Sequence, residues 1–241
     1  MFTVDSWLAR AWPVECPLCG LPAGGAGWCA ACVALLPPAP AGCSRCLAPW
    51  PAASGVPAHC DAPPPWQRAW APYRYGWPLD RLIGEMKFAR RVTTAAALGR
   101  LLTACYVDAA RPEVRGPVIP VPLHPARLAR RGFNQAQELA RPLATCLGLR
   151  LDPQALRRVR GGGAQSALGG AERRRRLAGA MAASAQRVVG EDVLLVDDVL
   201  TTGSTAGAAA EALLAAGART VSVVVLAVAI SPAADGTCNR A

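Results

Sequence analysis

Two aspartates stand side by side at the end of an apolar run, Val193-Leu194-Leu195-Val196-Asp197-Asp198, and Val199-Leu200-Thr201-Thr202-Gly203-Ser204-Thr205 follows. Asp192 to Val196, apolar from Val193 on, predicts a buried strand, and the carboxyl end of such a strand is where open α/β sheets collect ligands. The hydroxyls of Thr201, Thr202, Ser204 and Thr205 flank Gly203 just before a helix begins, and helix-start N–H groups point at an anion. This loop suits a phosphate. A side chain at position 203 would clash with the anion or demand an unfavourable backbone angle. The acids, about one sugar length away, suit vicinal hydroxyls and would help hold magnesium. A five-carbon sugar 5-phosphate spans such a site. A Walker loop is excluded, because no GK[ST] follows the strand.

A second constellation lies near the front: Cys16-Pro17-Leu18-Cys19, Cys29-Ala30-Ala31-Cys32, Cys43-Ser44-Arg45-Cys46 and His59-Cys60. CxxC pairs without a secretion signal point to zinc rather than to disulfides. Two thiolates on one tight turn grip one side of a tetrahedral ion and a second pair closes the other. Cys16, Cys19, Cys29 and Cys32 form one complete set, with Gly20 at the turn. Cys43, Cys46 and Cys60 form a second set one thiolate short. His59 is a weak fourth ligand, since adjacent residues seldom reach one ion, and pairing across the two sets stays open. With all positions protein ligands, the metal is structural.

The net charge of +10 is uneven: residues 81–190 carry 20 basic and 6 acidic side chains, +14, and the flanks offset the rest. Nearly all of it is arginine, whose fork matches phosphate oxygens, so a polyanion is the expected partner. No apolar run is long enough for a bilayer and no signal peptide opens the chain, so a cytoplasmic protein without a membrane span is expected.

The elements that must position these residues are of the α/β class. Leu79 to Tyr106 has helical spacing, Val118 to Pro122 reads as a short strand, and Phe133 to Leu147 reads as a helix that Pro142 bends. Ser204 to Ala216 is a helix stopped by Gly217, and Thr220 to Ala229 a second buried strand, giving a β-α-β unit with a parallel sheet. The composition changes near Ala62-Pro63-Pro64-Pro65, a stiff linker. We therefore expect a Cys-rich zinc-ribbon module over 1–65, an α/β domain over 70–232 and a tail over 233–241.

Residues 193–205 resemble the phosphoribosyl-pyrophosphate motif of type I phosphoribosyltransferases. Met86-Lys87-Phe88, Val121-Pro122-Leu123-His124, Arg130-Arg131-Gly132-Phe133-Asn134-Gln135 and Gln165-Ser166-x-Leu168 followed by Arg173, together with the CxxC pairs, narrow this. The chain resembles the ComF family, which includes GntX-like and competence proteins, although Pro57 stands where similar proteins often start a fourth CxxC. The resemblance implies a phosphoribosyltransferase-type parallel sheet flanked by helices, with a double zinc ribbon in front. It implies that Asp197 and Asp198 are catalytic, binding ribose hydroxyls and magnesium, and that 201–205 hold the 5-phosphate of phosphoribosyl pyrophosphate or a related ribose 5-phosphate. Pyrophosphate would lie on the loop Pro122 to Arg131, with Arg127, Arg130 and Arg131 suited by charge and Lys87 and Arg173 as weaker anion contacts. Residues 157–177 match a mobile loop. The reaction implied is transfer of phosphoribose to a nitrogen nucleophile. The alternative is a non-catalytic accessory protein in DNA uptake that grips single-stranded DNA and meets uptake helicases or processing proteins.

Overall fold

The structure, a computed structural model, describes residues 15–24, 26–49, 63–88, 91–109, 114–159 and 179–230. In chain order the elements are α1 (Ala30–Ala34), β1 (Arg68–Trp70), β2 (Tyr73–Arg74), α2 (Leu79–Phe88), α3 (Val92–Asp108), β3 (Val118–Pro120), α4 (Pro125–Arg131), α5 (Gln135–Leu147), β4 (Leu156–Arg158), β5 (Met181–Ala183), α6 (Ala185–Val188), β6 (Asp192–Leu200), α7 (Ser204–Ala215) and β7 (Thr220–Val228). The main sheet runs β1-β7-β6-β3, with β2 also on β7, and every pairing in it is parallel. β4 and β5 form a separate antiparallel pair that packs against α7.

Strand alternation explains the layers. Leu194 and Val196 of β6 and Val224 and Leu226 of β7 face one core, shared with α2, α3 and α5. Val193, Leu195, Val221, Val223 and Val225 face the other, shared with Ala206, Ala209, Ala210 and Leu213 of α7. Both faces are covered, which is why these strands read as unbroken apolar runs. The expected β-α-β unit is present as β6-α7-β7, and Gly217 follows α7 with φ +97°.

Several boundaries differ from expectation. β6 continues through the acids to Leu200, because its ladder with β7 persists as far as Leu200 opposite Val228. The helical spacing of Leu79–Tyr106 resolves into two helices. Leu82, Ile83 and Met86 of α2 and Leu98, Leu101 and Leu102 of α3 belong to the same core. α5 starts at Gln135, where the Asn134 side chain accepts a hydrogen bond from the Ala136 N–H at 3.1 Å. Such a cap satisfies an orphan donor of the first turn. α5 crosses α3 closely: a Cβ on Gly99 would lie 2.7 Å from the Glu138 carbonyl oxygen and 2.9 Å from Pro142 Cγ. β1, β2, β4 and β5 carry too few residues to leave a periodic signal and were not expected. Among the described residues no helix is long and apolar enough to cross a membrane.

The cysteine-bearing front is docked on this body. Trp28 donates its indole N–H to the Ala97 carbonyl at 2.9 Å, and the Arg100 guanidinium reaches the Ala26 carbonyl at 3.1 Å. Cys16, Trp28, Cys32 and Leu36 belong to the same core as α3.

Candidate functional site

The carboxyl half of β6 carries the two acids. Asp197 Oδ1 accepts the Asp198 N–H at 2.9 Å, and Asp198 Oδ1 accepts the Val199 N–H at 2.8 Å. Lys87, in the last turn of α2, sets its ammonium 2.7 Å from Asp198 Oδ2. Gln135 Nε2 is 3.5 Å from that same oxygen, and the Gln135 side-chain oxygen accepts from Arg131. Asp198 is buried. Asp197 is half-buried. Burial, and after it the neighbouring Asp198 carboxylate, push Asp197 up to about 8, against the opposing pull of the Asp198 N–H and the Lys87 charge. A carboxyl kept neutral near pH 7 offers a hydrogen-bond donor as well as acceptors.

β6 delivers the chain into the phosphate loop. Gly203 adopts φ +75° and sits immediately before α7. Thr202 Oγ1 and Ser204 Oγ are 2.8 Å apart, and the Ser204 N–H points to Thr202 Oγ1 at 3.4 Å. The left-handed angle expected of this glycine is present, and a Cβ there would also meet Trp66, at 3.1 Å from Cη2.

The arginines separate. The expected loop over Pro122–Arg131 is largely the helix α4, because Pro125 at its start, the His124 Nδ1 that accepts the Ala126 N–H at 3.2 Å, and Gly132 in the left-handed conformation supply both caps. On it Arg127 and Arg130 are exposed, while Arg131 is half-buried and turned toward Gln135. Burial lowers Arg131 below the ordinary guanidinium range, with the Asp198 charge acting the other way. Arg158 of β4 joins this cluster: burial, and then Arg127, lower it, and Asp197 opposes the change. Its Nε is buried with no hydrogen-bond partner. Sequence reasoning assigned no role to Gln135 or Trp66, and placed Arg158 in the expected mobile loop, whereas it stands on strand β4. Gln135 does stand in the Arg130–Gln135 stretch, the one signal that could have drawn attention to it. Residues 160–177 of the expected mobile loop, Arg173 among them, lie outside the described residues, while Arg157, like Arg158, belongs to strand β4.

The resemblance implies magnesium on the acid pair, and this arrangement does not suit it. A hard dication seeks several free oxygen ligands with net negative charge. Here Asp198 Oδ2 is already neutralised by an ammonium and Oδ1 is tied to the backbone.

Zinc fits. The Sγ atoms of Cys16, Cys19, Cys29 and Cys32 lie within 4.8 Å of one another, with Cys19 and Cys29 at 3.7 Å. Sulfurs about 2.3 Å from a tetrahedral ion lie roughly 3.8 Å apart. Burial would raise the Cys16 thiol, but N–H donors at Cys29, Leu18 and Cys19 outweigh it and bring it down to about 6, while burial pushes Cys32 well up. The second knuckle repeats the first. Gly20 donates its N–H to the Cys16 carbonyl at 2.8 Å, and Leu47 does so to Cys43 at 2.9 Å, both with positive φ. Cys46 is disulfide-bonded, which takes its sulfur out of the second zinc set expected with Cys43 and Cys60, since zinc binds thiolates. His59 and Cys60 lie outside the described residues.

The family model described as phosphoribosyl transferase domain matches residues 128–236. DNA utilization protein YhgH of Salmonella typhimurium is 38% identical over 162 residues, which are 65% of this chain and 71% of that protein. The chain belongs to the ComF-like family. The YhgH protein of Salmonella typhi is also 38% identical, over 156 residues, but the chain spans only 57% of its length. Competence protein F of Haemophilus influenzae is 34% identical over 103 residues, 40% of this chain and 44% of that protein. The ComF-like chain thus has the phosphoribosyltransferase-type sheet and helices, preceded by a cysteine cluster compatible with a zinc ribbon.

Proposed function

We propose that this ComF-like protein binds phosphoribosyl pyrophosphate or a related ribose 5-phosphate and transfers phosphoribose to a nitrogen nucleophile. One juxtaposition carries the reading: the Asp197–Asp198 pair ends on the same stretch of chain that opens α7 with Thr202 and Ser204 side by side. The 5-phosphate would sit on the α7 N-terminus, where N–H groups and hydroxyls converge. The acids would hold the ribose hydroxyls. The C1–O bond to pyrophosphate breaks, a C1–N bond forms, and the proton on nitrogen leaves to solvent. The acid pair orients the ring through its hydroxyls, and the charge of the leaving pyrophosphate is met by Arg131 and its neighbours on α4. A structural zinc on Cys16, Cys19, Cys29 and Cys32 would hold the front module, whose docking on α3 buttresses α2 and so Lys87.

The names of the relatives favour a second reading, in which the same site serves DNA uptake by gripping single-stranded DNA and meeting a helicase or processing protein. Either way the expected place of action is the cytoplasm. Titration calorimetry with phosphoribosyl pyrophosphate, coupled to a pyrophosphate-release assay across candidate amines and bases, tests the first. Binding that falls at least tenfold in Thr202→Val/Ser204→Ala supports it. A salt-dependent shift of single-stranded DNA with no binding of phosphoribosyl pyrophosphate supports the second.

A further inference from the structure

Among 26 basic side chains Lys87 is the one lysine; every other is arginine. That single exception is the residue whose charge touches the acid pair, 2.7 Å from Asp198 Oδ2, with about a quarter of its side chain exposed and Asp198 nearly none. A chain that uses arginine everywhere else has a compact ammonium where space beside the acid is limited. Gln135 approaches the same oxygen at 3.5 Å, and the planar guanidinium fork needs more room than a point charge.

The contact has a consequence for metal. Asp198 Oδ1 is held by the Val199 N–H, Oδ2 by Lys87, and Arg131 lies one residue further along the chain of contacts through Gln135. A divalent cation that took Asp198 would have to displace Lys87 and then stand close to both cations. We propose that Lys87 is the built-in cation of this site: it occupies Asp198 in place of a divalent metal and leaves the acid pair to receive uncharged donors such as sugar hydroxyls. The inference concerns the ligand-free protein and holds whichever ligand binds.

The lone lysine makes the test direct. Reductive methylation of the zinc-loaded full chain with ¹³C-formaldehyde labels Lys87 and the α-amino group, keeps both charges, and yields two resolvable NMR signals. Mn²⁺ is then titrated as the probe. The expected result is that the Lys87 signal broadens no more than the α-amino control at any Mn²⁺ concentration up to a tenfold excess over protein. Selective broadening of Lys87 at substoichiometric Mn²⁺ would overturn the proposal. In parallel, Mn²⁺ binding is followed by the electron paramagnetic resonance of the free ion. Lys87→Met should bind at least tenfold more tightly than the natural chain, and Lys87→Met/Asp198→Asn should lose that gain. Equal affinity in the natural chain and in folded Lys87→Met counts against the idea. If Lys87→Met does not fold, the labelled natural chain decides alone.

Discussion

Trp66 stands against Gly203: a Cβ on the glycine would lie 3.1 Å from the indole Cη2. The same indole donates its N–H to the Arg45 carbonyl at 2.6 Å, and Arg45 returns its guanidinium to the carbonyls of Pro64 and Trp66 at 2.9 and 3.2 Å. The phosphate loop is therefore backed by the second cysteine knuckle through one buried tryptophan. Gly203→Ala must hold an L side chain at positive φ, which costs about 1–2 kcal/mol, and must also press on Trp66. We expect a stability loss of roughly 2 kcal/mol, about 4–8 °C in melting midpoint for a domain of this size, together with weaker ribose 5-phosphate binding. Gly203→Ala/Trp66→Phe should recover part of the loss. Differential scanning calorimetry that finds Gly203→Ala as stable as the natural chain would remove the strain from this account.

The raised Asp197 makes stability depend on pH in a defined direction. Its folded value, about 8, is above the ordinary 3.8, so the folded chain holds a proton that the unfolded chain releases. That contribution is complete below pH 4 and is lost as pH rises through 8. Denaturation in urea should show stability declining between about pH 4 and pH 8, and Asp197→Asn, which stays neutral, should flatten that slope. A parallel decline in both proteins would assign the titration to other groups.

Metal removal should act on the body as well as on the front. Elemental analysis should find at least one zinc per chain, and Cys16→Ser/Cys19→Ser should remove the one held by the first set. Because Trp28 bonds to Ala97 and shares the core of α3, losing this zinc should change tryptophan fluorescence and lower the melting midpoint. Full retention of the midpoint after chelation of all zinc would show that the module contributes nothing to the fold.

Gly99 presents two opposed effects of similar kind. Alanine in a helix interior is favoured over glycine by about 1 kcal/mol. Against that, its Cβ would enter within 2.7 Å of the Glu138 carbonyl oxygen, a backbone atom that cannot turn aside. Overpacking of this sort costs typically 1–3 kcal/mol. Gly99→Ala should thus be destabilising by about 1 kcal/mol net, with far-ultraviolet helicity unchanged. A stabilised variant would mean that α3 and α5 separate without cost.

The β6-α7-β7 unit was legible because every signal for it is local. An apolar run, a glycine among hydroxyls and a glycine stop all act within a few residues of where they stand. The Cys16–Cys32 set was legible for the same reason, since a CxxC turn places two sulfurs by itself. The helix over Leu79–Tyr106 was legible in type but not in its division into α2 and α3, because both helices present apolar faces to one core and the spacing continues from one to the other. α4 was read as loop although its caps, His124 with Pro125 and Gly132, stand in the chain; seven residues with three arginines and no buried face give no periodicity to weigh with them.

By itself the sequence determined that an acid pair would precede a phosphate-type loop at a strand end, and that thiols would gather in front, because backbone propensity and residue spacing act over short distances. Only the tertiary structure decided that Lys87 neutralises Asp198, that Gln135 links Arg131 to the same carboxylate, and that Trp66 fills the space beside Gly203. Those partners are far apart in the chain. They meet only when α2 and α5 pack on one face of the sheet and Trp66 on the other, and the burial that brings them together also sets their charge states, which no spacing rule contains.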